Sequence, residues 1–225
     1  MNEHTITLST GKLTYLQAGQ GRPLLYLHPA GGVRRSPVLA GLAQSFDVHV
    51  PVFPGWEGTE FHEGVKSRGD LARLVAEFHG RVIGKRCDVM GWSLGGAVAL
   101  WLALERPELV DHLVLECPGG LISVDPKIKR VNRVLLEHYG AEDGKDEALL
   151  ARVGEVAHTT LILQGTDDGT VPAPSAQLLK GRLKKAFLVY IWRAGHNLEM
   201  DQPERVLGVV REFLEHSDAF MVNRG

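Results

Sequence analysis

The chain has 225 residues, of which 44% are hydrophobic and 23% charged, and its formal net charge is -2 at pH 7. This length fits one domain with a substantial core, and the small net charge gives no electrostatic reason to expect nucleic acid or an anionic membrane as a partner. No apolar run approaches the roughly 20 residues that span a bilayer, and the N-terminus "MNEHTITLST" has no secretory-signal pattern. Two cysteines cannot by themselves form a disulfide framework. We therefore expect a cytoplasmic protein.

Short apolar runs alternate with segments of helical periodicity along the chain. The first two runs, residues 4–9 and 12–19, indicate a β-hairpin. Apolar residues repeat at helical spacing over residues 70–83. Near the C-terminus another helix is expected, with Pro203 in its first turn and Asp201 as a candidate cap. The remaining strand candidates are residues 23–28, 46–53, 87–91, 112–120, 159–165 and 186–192.

Fully apolar strands that alternate with helices indicate an α/β fold, with a parallel sheet covered on both faces. Residues 121–158 break this alternation, because they are more polar and longer than a plain crossover requires. They contain one or two amphipathic pieces, near 126–138 and 145–154. We predict a single domain over residues 1–225 with a short cap insertion at about 121–158.

Polar residues gather after the predicted strands, at the edge where open parallel sheets form their sites. A serine, two aspartates and a histidine all fall on that edge. Residues 91–95 read Gly-Trp-Ser-Leu-Gly, which matches the Gly-x-Ser-x-Gly nucleophile elbow in its usual position between a strand and a helix. A plain tight turn is the alternative interpretation of these glycines, but the convergence of polar residues favours a serine held out for chemistry.

With this elbow, the chain resembles the α/β-hydrolase family from about residue 5 to residue 216. The order of the motifs, from oxyanion loop to elbow, acid and histidine, is also the order in that family. The resemblance implies a mostly parallel, twisted sheet of about eight strands flanked by helices, with a small cap insertion. It also implies Ser93 as the nucleophile, His196 as the general base and Asp168 as the acid that orients the histidine.

Two other acidic residues compete with Asp168 for the role of the acid. In "GTDDGTVP" the family's acid follows a glycine by three positions, which selects Asp168 over Asp167. Glu116 is a further alternative, since it lies in an otherwise apolar strand next to the one that carries Ser93, and some relatives place the acid after this strand.

The same resemblance implies two backbone N–H donors for an oxyanion hole, those of Leu94 and Ala30. Ala30 belongs to "HPAGG" at residues 28–32, where Pro29 replaces a glycine of the family pattern. Proline cannot donate a hydrogen bond and fixes its own φ. His28 is expected to orient this loop by hydrogen bonding instead of taking part in the chemistry.

No group of His, Cys and carboxylate residues has metal-ligand spacing, and no Gly-x-Gly-x-x-Gly opens a helix. We therefore expect no metal and no cofactor. The sequence predicts a serine hydrolase that cleaves a carboxylic ester-type bond of a small molecule, as a carboxylesterase or lactonase does, through an acyl-serine intermediate. A thioesterase, a carbon–carbon bond hydrolase with the same triad and a slow-turnover small-molecule receptor of this fold remain alternatives. No nucleic acid or membrane partner is expected, and the sequence leaves the oligomeric state open.

Overall fold

A computed structural model describes residues 1–123, 138–139 and 144–220 of the chain. Within these residues, eight strands form one sheet. They are β1 (Asn2–Leu8), β2 (Gly11–Ala18), β3 (Arg22–Leu27), β4 (Phe46–Pro51), β5 (Cys87–Trp92), β6 (Val110–Glu116), β7 (Thr160–Gly165) and β8 (Ala186–Ile191).

The strand order across the sheet is β1-β2-β4-β3-β5-β6-β7-β8. The β1–β2 hairpin is antiparallel and β2 is antiparallel to β4, whereas every other neighbouring pair is parallel. Each residue of β5 and of β7 is buried, as expected for central strands covered on both faces. The predicted mostly parallel α/β sheet is confirmed.

Helices cover both faces of the sheet and enclose two apolar clusters. Helix α3 is buried from Leu94 to Ala103 and packs with α2 on one face. On the other face, α1 and α7 pack their apolar side chains against the sheet. The helices among the described residues are α1 (Pro37–Leu42), α2 (Arg68–Val82), α3 (Leu94–Glu105), α4 (Glu147–Arg152), α5 (Ala173–Arg182), α6 (Leu198–Asp201) and α7 (Pro203–His216). In this part of the chain, no helix is both long and apolar enough to cross a membrane.

The prediction that Asp201 caps the last helix is wrong. A short additional helix, α6, ends at Asp201, and the N-cap position of α7 is taken by Gln202 without a side-chain hydrogen bond. Instead, Asp201 Oδ2 accepts a hydrogen bond from the Gly195 N–H at 2.8 Å. Asp201 therefore fixes the loop that carries His196, while Pro203 does occupy the first turn of α7.

Part of the predicted cap insertion lies outside the described residues, namely 124–137 and 140–143. This gap takes in most of the first predicted amphipathic piece, at 126–138. The second piece, at 145–154, coincides with α4 and the 3-10 turn that follows it. The division of the chain into one domain with an insertion at 121–158 stays a prediction.

Candidate active site

The sharp turn between β5 and α3 holds Ser93 in an unusual backbone conformation, with φ 53° and ψ -110°. Positive φ is costly for a residue other than glycine and persists only where the surroundings impose it. Here the Ser93 N–H donates to the Glu116 carbonyl at 2.8 Å. The Ser93 carbonyl accepts from the N–H groups of Ala97 and Gly119, at 3.2 and 3.0 Å. Neighbouring segments on three sides thus fix the conformation of the serine.

Two glycines of the motif are required by close backbone approach. A Cβ atom on Gly95 would lie 2.0 Å from the carbonyl oxygen of Leu27, at the end of β3. A Cβ atom on Gly91 would lie 2.3 Å from the carbonyl oxygen of Gly95. Because such distances are far below van der Waals contact, only glycine at both positions lets α3 start this close to the sheet.

The fold brings Ser93, His196 and Asp168 together from three separate strand ends. Ser93 Oγ lies 3.0 Å from His196 Nε2, and His196 Nδ1 lies 2.9 Å from Asp168 Oδ2. A carboxylate oxygen only accepts, so Nδ1 carries the ring proton and Nε2 is left to accept from the serine hydroxyl. The Asp168 side chain is fully buried, whereas the His196 side chain is 22% exposed. The line of hydrogen bonds therefore runs from the interior towards solvent.

Asp168 is held as a carboxylate although it is buried. Its Oδ1 accepts from the N–H groups of Thr170 and Val171 at 2.8 and 2.9 Å. Burial alone would raise the pKa of Asp168, but hydrogen bonds from His196, the Val171 N–H and the Cys117 thiol outweigh it and hold that pKa below its usual value. The acid is therefore ionised at neutral pH.

Neither competing acid reaches the histidine. Asp167 is exposed, and its Oδ1 accepts from the Thr166 hydroxyl at 3.2 Å. Glu116 is fully buried and interacts with Glu199. The hydrogen-bond partner of His196 Nδ1 is Asp168, in agreement with the spacing argument from the sequence.

Three further side chains support this arrangement and were not identified from the sequence. The indole N–H of Trp92 donates to the His196 carbonyl at 3.0 Å. Gln164 Nε2 donates to Asp168 Oδ2 at 3.3 Å and to the Val171 carbonyl at 2.9 Å, and so bridges the two residues. Cys117, which follows β6 with a φ of 42°, donates its thiol to Asp168. The one available sequence signal was Gln164, a lone polar residue in the apolar strand "TLILQG".

The two predicted oxyanion donors lie on the same face of the sheet. Leu94 is the first residue of α3, so its N–H has no intrahelical acceptor. Ala30 lies in the loop after β3 and packs against the apolar cluster that contains Leu94. The carbonyl of Ala30 accepts from the indole N–H of Trp56 at 2.8 Å. This bond fixes one of the two peptide groups of Ala30.

His28 orients the other peptide group of Ala30. The Phe53 N–H donates to His28 Nε2 at 2.9 Å, so the proton of the ring is on Nδ1, which donates to the Pro29 carbonyl at 2.8 Å. That carbonyl belongs to the same peptide group as the Ala30 N–H. In a trans peptide the two point in opposite directions, so the N–H is turned away from His28. These bonds agree with the predicted positioning role of His28, and the proline leaves both acceptor and donor of this peptide in place.

His28 is expected to make the stability of the protein depend on pH in the acid range. Burial lowers the pKa of His28 from 6.5 to about 4. The unfolded chain therefore binds a proton first as the pH falls, and the free energy of unfolding decreases from about pH 6.5 to about pH 4, by up to roughly 3 kcal/mol. In His28→Gln this contribution is absent. Denaturant unfolding at pH 7 and pH 4.5 should show a smaller loss in the variant, and an equal loss in both proteins would contradict the assignment.

Within residues 1–123, 138–139 and 144–220, folding also brings together two groups of potential metal ligands that sequence spacing did not reveal. Their ligand atoms lie within 4.8 Å of one another in each group, which are Cys117, Asp168 and His196, and Asp88, Asp111 and His112. In the second group, Asp88 already pairs with Arg22 at 3.0 Å and with His112 at 2.8 Å. The guanidinium supplies the positive charge that a cation would bring. The first group is part of the arrangement around Ser93.

Comparison with known proteins agrees with this fold. A family model for the alpha/beta hydrolase fold matches residues 22–140, more than half of the chain. The chain is 27% identical to a pimeloyl-[acyl-carrier protein] methyl ester esterase of Aeromonas salmonicida, over 87% of this chain and 96% of that protein. It is 25% identical to a 2-hydroxy-6-oxo-2,4-heptadienoate hydrolase of Pseudomonas putida, over 89% and 91%.

A similar solved structure is that of a 2-hydroxy-6-oxo-6-phenylhexa-2,4-dienoate hydrolase of Rhodococcus sp. strain RHA1. The TM-score is 0.80 at 21% identity, and the match covers 95% of this chain and 98% of the other. The chain therefore belongs to the α/β-hydrolase family and is a hydrolase.

Proposed function

We propose that the protein is a serine hydrolase that cleaves carboxylic ester-type bonds of small molecules, as a carboxylesterase or lactonase does. The observation that carries this proposal is the continuous line of hydrogen bonds from Ser93 through His196 to Asp168. Relatives named as methyl ester esterases support an ester as the bond that is cleaved.

In the first half of the reaction, Ser93 Oγ attacks the ester carbonyl while His196 Nε2 takes the hydroxyl proton. Asp168 keeps the histidine in the required tautomer and stabilises the imidazolium that forms. Negative charge develops on the carbonyl oxygen, where the N–H groups of Leu94 and Ala30 are the proposed donors. The imidazolium then protonates the leaving alcohol, and the acyl group remains on Ser93.

In the second half, water attacks the acyl-serine and His196 acts again as general base, now towards the water. The same donors stabilise the second oxyanion, and collapse of this intermediate releases the carboxylic acid and restores the Ser93 hydroxyl. Each proton taken up is returned, so the cycle is complete without a metal or a cofactor.

A second candidate reaction is favoured by the relatives named as hydrolases of 2-hydroxy-6-oxo dienoates, which would make the bond cleaved a carbon–carbon bond. The nucleophile and base described above would serve such a substrate as well. The choice between the two candidates rests on the preferred substrate and not on the triad.

The test is a comparison of kcat/KM over a panel of purified substrates. The panel contains nitrophenyl esters of increasing acyl length, a lactone, an acyl thioester and a 2-hydroxy-6-oxo dienoate. We expect the highest kcat/KM for an oxygen ester or the lactone. A clear preference for the thioester or for the dienoate would replace the proposal by the corresponding alternative. Tight binding with turnover close to the uncatalysed rate would indicate a receptor.

A further inference from the structure

Two glutamates lie buried next to each other beneath the candidate active site. Glu116 is the last residue of β6 and is the register partner of Trp92, which precedes the nucleophile. Glu199 belongs to α6, three positions after His196. Both residues are 0% exposed. The two carboxyl groups interact directly with each other. This contact joins the end of β6 to α6.

The hydrogen-bond donors around the pair are too few for two carboxylates. The Tyr26 hydroxyl donates to Glu199 Oε1 at 3.0 Å, and the Ser36 hydroxyl also bonds to Glu199. In the described part of the chain, neither oxygen of Glu116 nor Oε2 of Glu199 has a hydrogen-bond partner of good geometry. The backbone N–H of Glu199 interacts with the Glu116 carboxyl group, but it lowers the pKa of Glu116 less than burial raises it. A buried carboxylate with so few donors is strongly disfavoured, so the missing donor is a proton on one of the two carboxyl groups.

We propose that Glu116 and Glu199 share one proton, which Glu116 donates to Glu199 Oε2, and that this pair fixes the His196 segment relative to the Ser93 turn. The pair then carries one negative charge, on the residue that also accepts from Tyr26 and Ser36. Both glutamates are positioning residues. Two further hydrogen bonds complete the link: the backbone N–H of Ser93 donates to the Glu116 carbonyl, and the indole N–H of the Trp92 side chain donates to the His196 carbonyl.

Among the residues that the structure describes, the groups that face the pair add no positive charge. Tyr26 on β3 and the thiol of Cys117 are the titratable neighbours, and burial raises the pKa of both, so both are neutral at pH 7. Burial likewise raises the pKa of Glu199 to about 7, and burial and the nearby Glu199 raise the pKa of Glu116 well above its usual value. The facing residues of β5 are apolar.

Loss of the shared proton should loosen the link between the two segments. Because the pKa values are raised in the folded state, the unfolded chain loses these protons at lower pH. The free energy of unfolding therefore decreases as the pH rises from about 4.5 through the folded-state values. Two like charges then face each other between β6 and α6. The expected effect on catalysis, an alkaline decline in kcat/KM, rests on the proposed function, whereas the shared proton does not.

The proton is tested first without any assay of activity. At pH 7, infrared spectra of the wild type should contain the carbonyl-stretch band of an un-ionised carboxylic acid, and Glu116→Gln should lack it. Glu204→Gln, which changes an exposed carboxyl group to an amide, should retain the band. A titration of glutamate-labelled wild type by carbon-13 NMR requires no variant and should show a carboxyl group that titrates above about pH 7. Absence of the band, or titration of every glutamate near its ordinary pKa, would overturn the proposal.

The positioning role is tested by the pH profile of kcat/KM for an ester. The wild type and Glu204→Gln should lose about tenfold in kcat/KM between pH 7 and pH 9.5, whereas Glu116→Gln, whose amide N–H donates permanently, should lose less than about threefold. An equal decline in all three proteins would refute the role. If no ester is hydrolysed, the proposed function is contradicted. The infrared and NMR results still show whether Glu116 and Glu199 share a proton.

Discussion

Ser93→Ala is expected to lower kcat for an ester substrate by about a million-fold, with little change in KM. The hydroxyl oxygen that forms the acyl bond is lost, while the groups that bind the substrate remain. Ser93 also has no side-chain cap bond to α3, so the alanine removes no structural hydrogen bond at the helix start. The residual rate should reflect binding and the two oxyanion donors alone. Steady-state kinetics with a nitrophenyl ester measure the effect.

A matched control for this variant is Ser45→Ala, which truncates an exposed serine remote from the turn. Its kcat and KM should equal those of the wild type. In denaturant titrations, both variants should unfold in a cooperative transition like that of the wild type, which shows that they are folded. A Ser93→Ala protein that is folded and retains more than about a hundredth of the wild-type kcat would contradict the role of Ser93 as nucleophile.

Asp168→Asn is expected to lower kcat by about ten-thousand-fold. The N–H groups of Thr170 and Val171 donate to Oδ1 and require an oxygen at that position. The amide nitrogen must therefore take the place of Oδ2, next to His196 Nδ1. An N–H donor there forces the ring proton to Nε2, which can then no longer accept from Ser93. The variant keeps its shape but holds the wrong histidine tautomer.

The neighbouring residue provides the control for this second variant. Asp167→Asn makes the same chemical change at an exposed carboxyl group, one residue away, and should alter kcat less than about twofold. Similar losses in both variants would indicate a general disturbance of the loop. A loss of less than tenfold in Asp168→Asn would mean that another acid orients His196.

The sheet and the nucleophile turn were predictable because their determinants are local. Apolar runs identified every strand, and the glycines around Ser93 identified the turn between β5 and α3. Helices α1 and α5 were missed, since α1 has only six residues and α5 contains both Pro174 and Gly181. In neither segment does the sequence present a regular apolar stripe of useful length.

The supporting residues of the site depend on contacts between distant parts of the chain. The spacing from Gly165 was enough to choose Asp168 over Asp167 as the acid. The hydrogen bond from the Trp92 indole to the His196 carbonyl, in contrast, exists only once folding has placed β5 beside the loop that carries His196. Asp201 was misassigned as a cap for the same reason. Glu116 stood out as a charged residue in an apolar strand, but its partner Glu199 could not be named before the fold was known.

The central claim, that Ser93 is the nucleophile of an acyl-transfer reaction, is tested most directly by covalent labelling. The protein is treated with a fluorophosphonate probe, and tryptic peptide 87–127 is analysed by tandem mass spectrometry, which separates Ser93 from Ser123. We predict one adduct per chain, on Ser93, formed more slowly in the presence of an ester substrate and absent in Ser93→Ala. An active protein with no adduct, or with an adduct at another residue while Ser93 stays unmodified, would contradict the account.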